Sequence, residues 1–186
     1  MITKTLLDFY LEQLSNYTST DKGTAHDYIN AYYNTLLTPF QFEDIKLLEI
    51  GYSYGSSAYL WRNYFINAEV WMLDCNKPEE DKVAPGVNYI WEDAYTQSTL
   101  DKFQDGYFDF IIDDGPHTIE SQIYTVRNWT RKLKSGGKLI VEDIQDITAT
   151  DILSTEAEKI GENSRIYDLR ANKNQYDDII FEIVKK

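Results

Sequence analysis

The stretch KLLEIGYSYG, residues 46–55, constrains this chain more than any other. Leu47, Leu48 and Ile50 make a short apolar run that stops at Gly51, and Gly55 opens an amphipathic segment, SSAYLWRNYF. The pattern predicts a strand, a tight turn and a helix. In an open α/β sheet such a turn meets a ligand at the carboxyl ends of the strands, because glycines let the backbone approach it closely. The spacing here is Gly51-x-x-x-Gly55, without the third glycine of a dinucleotide turn, and an acid, Glu49, precedes it. A carboxylate there opposes a pyrophosphate on the helix N-terminus and suits a ligand with a cationic amine or sulfonium. A nucleotide-like cofactor is the expectation; the plainer alternative is a turn and nothing more.

Composition bounds the rest. At 186 residues the chain suits one domain with a sizeable core. We read 1–186 as that domain, with a helical segment over 1–38 and an α/β core over 45–186. Lys plus Arg total 18 against 31 Asp plus Glu, a net charge of −13, which repels phosphate backbones and anionic membrane surfaces. Neither nucleic acid nor membrane is expected as a partner. No apolar stretch is long enough to span a bilayer, and MITKTLLDFYLEQL carries acids and no cleavage pattern. The expectation is a soluble, unexported, cytoplasmic protein. The single cysteine, Cys75, excludes an internal disulfide.

Leu6, Leu7, Phe9, Tyr10, Leu11 and Leu14 recur at helical spacing within residues 3–14. Residues 15–24 are polar turn chemistry, and a second helix carrying His26, Tyr28, Ile29, Tyr32, Tyr33 and Leu36 is predicted to stop before Pro39. The second strand, 69–73, ends at Asp74, 19 positions past Gly55, where a doubly wound fold places an acid on ribose hydroxyls. A loop over 76–86 leads to a third strand, 87–91, followed by Glu92 and Asp93. The fourth, 107–112, ends in Asp113, Asp114, Gly115, Pro116 and His117. Thr118 reads as the N-cap of a helix through Leu133, and KSGG, 134–137, as its stop. A fifth strand, 138–141, ends in Glu142 and Asp143. A helix near 151–160 and two late strands, 165–169 and 178–184, complete the chain.

Two neighbouring strands thus end in acidic pairs. Two bare carboxylates about 4 Å apart repel by roughly 4 kcal/mol at an effective dielectric near 20, so converging acids need a counter-charge. A divalent cation supplies it, and all-oxygen ligation suits Mg²⁺, with Mn²⁺ an alternative. Isolated acids would instead cap helices or face water. His117, one of two histidines, has the side chain best matched to proton transfer near neutrality; its ordinary role would be that of a loop residue.

EIGYSYG resembles motif I of the class I S-adenosylmethionine-dependent methyltransferases. Together with TDKGTAHDY at 20–28, IIDDGPH at 111–117 and VEDI at 141–144, it resembles the metal-dependent sugar O-methyltransferases of macrolide biosynthesis. The resemblance spans about residues 18–145. It implies a Rossmann-like seven-stranded class I methyltransferase sheet with N-terminal helices, and S-adenosylmethionine as cofactor. By the same resemblance Glu49, Gly51, Ser53, Gly55, Asp74, Asp93 and Asp113 belong to the cofactor side, Asp93 toward the adenine amino group. Asp114, Glu142 and Asp143 would bind Mg²⁺, and His117 would be the base for a sugar or other small-molecule hydroxyl. Members of that family are longer, with an auxiliary N-terminal domain, and Pro116 stands where a small polar residue is expected. Asp21, Lys22 and His26 are candidates for closing over cofactor or acceptor. Two alternatives stand beside this reading: an oxidative enzyme like the cephalosporin-hydroxylase proteins, and a cofactor-binding partner without activity. Leu6, Phe9 and Leu14 on the N-terminal helix could join two copies.

Overall fold

The computed structural model describes residues 4–14, 20–79 and 83–186. Seven strands form one sheet: β1 (Lys46–Ile50), β2 (Glu69–Asp74), β3 (Asn88–Trp91), β4 (Phe108–Asp113), β5 (Leu133–Val141), β6 (Asn163–Asp168) and β7 (Ile179–Val184). Their order is β3-β2-β1-β4-β5-β7-β6. The first five run parallel, and β7 enters antiparallel between β5 and β6. Among the described residues seven α-helices connect or flank them: α1 (Leu6–Gln13), α2 (Asn34–Leu37), α3 (Ser56–Tyr64), α4 (Gln97–Leu100), α5 (Ile119–Tyr124), α6 (Ala149–Lys159) and α7 (Arg170–Lys173). This is the Rossmann-like seven-stranded sheet that the resemblance implies.

The central strands are apolar on both faces, as a parallel sheet covered by helices requires. Leu47, Val70, Met72, Phe110, Ile112 and Ile140 face one layer, with Trp61 of α3, Leu6 and Tyr10 of α1, and Tyr33. Leu48, Ile50, Leu73, Ile111, Leu139 and Val141 face the other, against Trp129 and Leu153. Because side chains alternate along a strand, one-residue slips would exchange these layers and are excluded by the core. Strand order reverses between β1 and β4, so their carboxyl ends diverge from the connecting helices and leave a crevice there.

Several expectations shift locally. Thr5 caps α1 by accepting the amide of Asp8, and Leu6 and Phe9 pack inward, Phe9 edge-on to Tyr64 at 5.5 Å. Leu11 and Leu14 stay exposed. The second helix opens with a π turn, Ile29–Tyr33, and α2 ends at Leu37, leaving Pro39 inside a one-turn 3₁₀ helix, Thr38–Phe40. KSGG is not the stop of a helix: winding ends at Lys132, and β5 already begins at Leu133, with irregular pairing between Phe108 and Phe110. Residues 15–19 and 80–82 of the expected loops lie outside the described residues. Among the described residues no helix is long and apolar enough to cross a membrane.

Candidate functional site

At the reversal point the strand ends of β1, β2 and β4 surround a cleft of about 510 Å³. Gly51, Ser53, Asp74 and Asp93 line it, as does Asp114. Gly51 has φ +99°, and a Cβ there would come within 2.7 Å of the Asp114 carbonyl carbon and closer still to its oxygen. Only glycine lets the two turns approach so closely. Asp74 fixes the rim: one carboxylate oxygen accepts the Tyr52 amide at 2.8 Å and the other the Asn76 amide at 2.7 Å. Asp93 likewise accepts the Tyr95 amide at 2.8 Å.

Three residues expected on the cofactor side lie behind the cleft wall. Gly55, φ +76°, packs against the Tyr52 ring at the start of α3. Asp113 is buried and accepts from the Thr125 hydroxyl at 2.5 Å, the Tyr95 hydroxyl at 2.8 Å and the Gly115 amide at 3.2 Å. Burial pushes its carboxyl up to about 6 against the pull of those donors. Glu49 is fully buried, accepts Trp61 Nε1 at 2.5 Å and pairs with Lys22 at 3.1 Å. Burial raises its pKa, with Lys22 opposing.

The acidic edge gathers around His117. Its Nε2 lies 3.1 Å from Asp114 Oδ1 and 3.7 Å from Asp143 Oδ2. One ligand atom from each of Asp114, His117 and Asp143 falls within 4.8 Å of the others. His117 and Asp143 both take the left-handed conformation, φ 56° and 53°, as does Ser53 at 47°. Non-glycine residues held there cost of order 1–3 kcal/mol each and cluster at functional sites. Burial opposes protonation of His117, but the hydrogen bond to Asp114 and the charge of Asp143 raise its pKa. Burial and Asp114 likewise raise Asp143.

Glu142 points elsewhere. Its carboxylate contacts Lys22 Nζ and accepts the Tyr33 hydroxyl. Lys22 is only 1% exposed and also meets Asp114 Oδ2 at 2.5 Å. Burial works against its charge, but Asp114, Glu142 and Glu49 together hold the ammonium well above its ordinary pKa. Burial would raise Asp114, and Lys22 and His117 bring it below the usual range instead. Glu142 is pushed up by burial and its acidic neighbours despite Lys22.

Segment 20–33 delivers these partners. Lys173 donates to the carbonyls of Gly23, Thr24 and His26 at 2.6, 3.0 and 2.8 Å, holding the loop. Tyr28 donates to Asp143 Oδ1 at 2.7 Å, and His26, stacked on Tyr28 at 4.9 Å, contacts buried Asp178. The two histidines thus face different oxygens of Asp143. Asp21 stays on the loop, accepting the amides of Lys22 and His26. The burial of Lys22 among carboxylates, and the site roles of Tyr28, Tyr33 and Tyr95, have no periodic signal: the resemblance makes Lys22 a candidate for closing over cofactor or acceptor, but nothing in the sequence points it at the acids, and the tyrosines look like ordinary core and rim residues.

The arrangement offers a ligand cleft, an imidazole at its acidic lip, and carboxylate oxygens of Asp114 and Asp143 turned toward that imidazole. Against solved structures, the chain matches the MycE methyltransferase from the mycinamycin biosynthetic pathway in complex with Mg and SAH. In crystal form 1 the TM-score is 0.74 at 18% identity, over 96% of this chain and 54% of that one. A MycE complex with Mg, SAH and mycinamycin VI gives 0.62 at 22%, over 73% and 37%. The fibrillarin pre-rRNA processing protein of Methanococcus jannaschii gives 0.61 at 18%, over 78% and 68%. At these identities the likeness is one of fold. The chain spans between about a third and about half the length of the MycE chains it matches. No curated protein sequence matches it. The family model described as a methyltransferase domain matches residues 48–144, from β1 to the turn after β5 and more than half of the chain. The chain therefore belongs to the methyltransferase-domain family.

Proposed function

We infer that the chain transfers a methyl group from S-adenosylmethionine to a hydroxyl of a sugar or related small molecule, assisted by a divalent cation such as Mg²⁺. The observation that carries this reading is the imidazole of His117, held by a left-handed backbone beside Asp114 and Asp143. Asp114 also lines the cleft whose rim Asp74 organises. MycE, of like fold, is described in complex with Mg, SAH and mycinamycin VI, which supports the cofactor and acceptor classes.

The chemistry follows from that placement. The acceptor oxygen attacks the methyl carbon in line with the sulfonium sulfur; the C–O bond forms as the C–S bond breaks. The His117 imidazole takes the hydroxyl proton, and the sulfur departs with its electron pair as S-adenosylhomocysteine. Most of the rate comes from holding the reacting atoms about 3 Å apart in line. The residues present fit a hard cation: Asp114 and Asp143 would hold it through oxygens facing His117, and it would supply Lewis acidity toward the acceptor hydroxyl.

Calorimetric titration with S-adenosylmethionine and S-adenosylhomocysteine, with and without Mg²⁺, tests the cofactor. Micromolar binding that Asp74→Ala weakens is expected, and absence of binding by either ligand removes the reading. His117→Ala should abolish turnover of a hydroxyl acceptor and leave cofactor binding nearly intact; equal loss of both would sink its role as base.

A further inference from the structure

Lys22 Nζ donates to two carboxylates and forms an ion pair with a third. Asp114 Oδ2 lies at 2.5 Å and Glu49 Oε1 at 3.1 Å, while Glu142 Oε2 is in direct contact. These acids stand at the ends of β1, β4 and β5, three adjacent strands of the sheet. Glu142 is itself 1% exposed, and its second oxygen accepts the Tyr33 hydroxyl, so its two oxygens face Lys22 and Tyr33 rather than His117. Asp114 Oδ1 and Asp143 Oδ2 are turned to His117 instead.

The ammonium does not reach this place by chance rotamer. Its loop is held by the three carbonyl contacts of Lys173 and by the Tyr10 hydroxyl on the Thr20 carbonyl at 3.2 Å. A Cβ on Gly23 would overlap the Tyr10 ring, so the turn lies flush against α1. The amide of Ile29 closes on the Lys22 carbonyl at 3.0 Å, tying the loop to the helix that carries Tyr33.

We propose that Lys22 is the resident cation of this carboxylate cluster and withdraws Glu142 from the divalent-ion site. Of the three acids expected to share the ion, Asp114 and Asp143 alone then hold it. This rests on the reading that a divalent cation acts at the acidic edge. A fixed positive charge between the same carboxylates repels a second cation, and it keeps the acids together when no ion is bound. The site is thus built for a weakly held, exchangeable ion, and its affinity is set by Lys22 rather than by the number of acids nearby.

The test is Mn²⁺ binding, followed by electron paramagnetic resonance of the free ion, for wild type, Glu142→Gln, Lys22→Met and the double variant. S-adenosylhomocysteine binding is measured on each preparation and reports folding and the cofactor reading independently. Glu142→Gln should leave Mn²⁺ affinity within about threefold of wild type, because Glu142 is not a ligand. Lys22→Met frees Glu142 and should tighten Mn²⁺ at least about tenfold, a gain that the double variant loses. If wild type binds too weakly to measure, binding by Lys22→Met alone carries the same meaning. Loss of about tenfold or more in Glu142→Gln alone overturns the proposal, since Glu142 would then be a ligand with Lys22 displaced. So does a folded Lys22→Met with no gain. Should Lys22→Met fail to fold, Glu142→Gln decides by itself. Absence of S-adenosylhomocysteine binding throughout would count against the methyltransferase reading and not against Lys22.

Discussion

Replacing Gly51 by alanine tests how closely the first turn meets the end of β4. The cost has two parts. At φ +99° any L-residue is strained, by about 1–2 kcal/mol if the left-handed helical value is the guide. The new Cβ also falls within 2.7 Å of the Asp114 carbonyl carbon, and the oxygen is nearer still. That peptide cannot simply swing aside, since the Asp114 amide donates to the Ile50 carbonyl at 2.9 Å and the Gly115 amide to Asp113 at 3.2 Å. Forcing it outward should add about 1–3 kcal/mol, as overpacking does. Gly136→Ala is the control, because Gly136 has φ +80° and a Cβ added there would meet nothing within 4 Å, so only the first part applies. With a urea m-value of about 3 kcal/mol per molar, Gly51→Ala should lower the midpoint by about 1 M and Gly136→Ala by about 0.5 M. The displaced carbonyl belongs to a residue of the cleft lip, so S-adenosylhomocysteine affinity should fall in the first variant and hold in the second. Equal midpoint shifts would refute the idea that close approach, rather than backbone strain, makes Gly51 necessary.

Trp61→Phe removes the donor to buried Glu49 and should cost about 1–3 kcal/mol in urea unfolding; a double cycle with Glu49→Gln should recover part of it, and additivity would refute the link. Asp113 has a folded pKa raised by burial to about 6, so the folded state binds the extra proton between about pH 4 and 6 and the associated stability is lost as pH rises through 6. At about 1.4 kcal/mol per pKa unit, the stability of wild type relative to Asp113→Asn should fall by about 3 kcal/mol from pH 4 to pH 7, and a constant gap would refute the assignment. Asp74→Asn keeps the shape of the rim but weakens its grip on the Tyr52 and Asn76 amides, so cofactor affinity should drop by about tenfold; an unchanged affinity in calorimetry would separate Asp74 from the ligand.

The strands were legible because a parallel sheet buried on both faces writes them as apolar runs with abrupt polar ends, as in YFDFII before Asp113. The same ends located the acids Asp74, Asp113, Asp114, Glu142 and Asp143. The four-residue helices α4 and α7 went unread, being too short for helical periodicity to register. KSGG was misplaced because glycine punctuates a helix stop and an irregular strand start alike. Side-chain direction was beyond the sequence: Glu142 faces Lys22, 120 positions away, and no local rule couples the two. The left-handed backbones of His117 and Asp143 are likewise imposed by tertiary packing, since neither residue type demands them.

Lys173 binds three loop carbonyls near residue 24, from roughly 150 positions further along the chain. During synthesis the loop that carries Lys22 therefore has only its local contacts to Tyr10 and Ile29 until α7 has left the ribosome. Contacts so distant in sequence form late, after the loop-closure entropy between them has been overcome. The sheet can assemble its parallel core first, and the acidic edge acquires its internal cation in one of the last steps of folding.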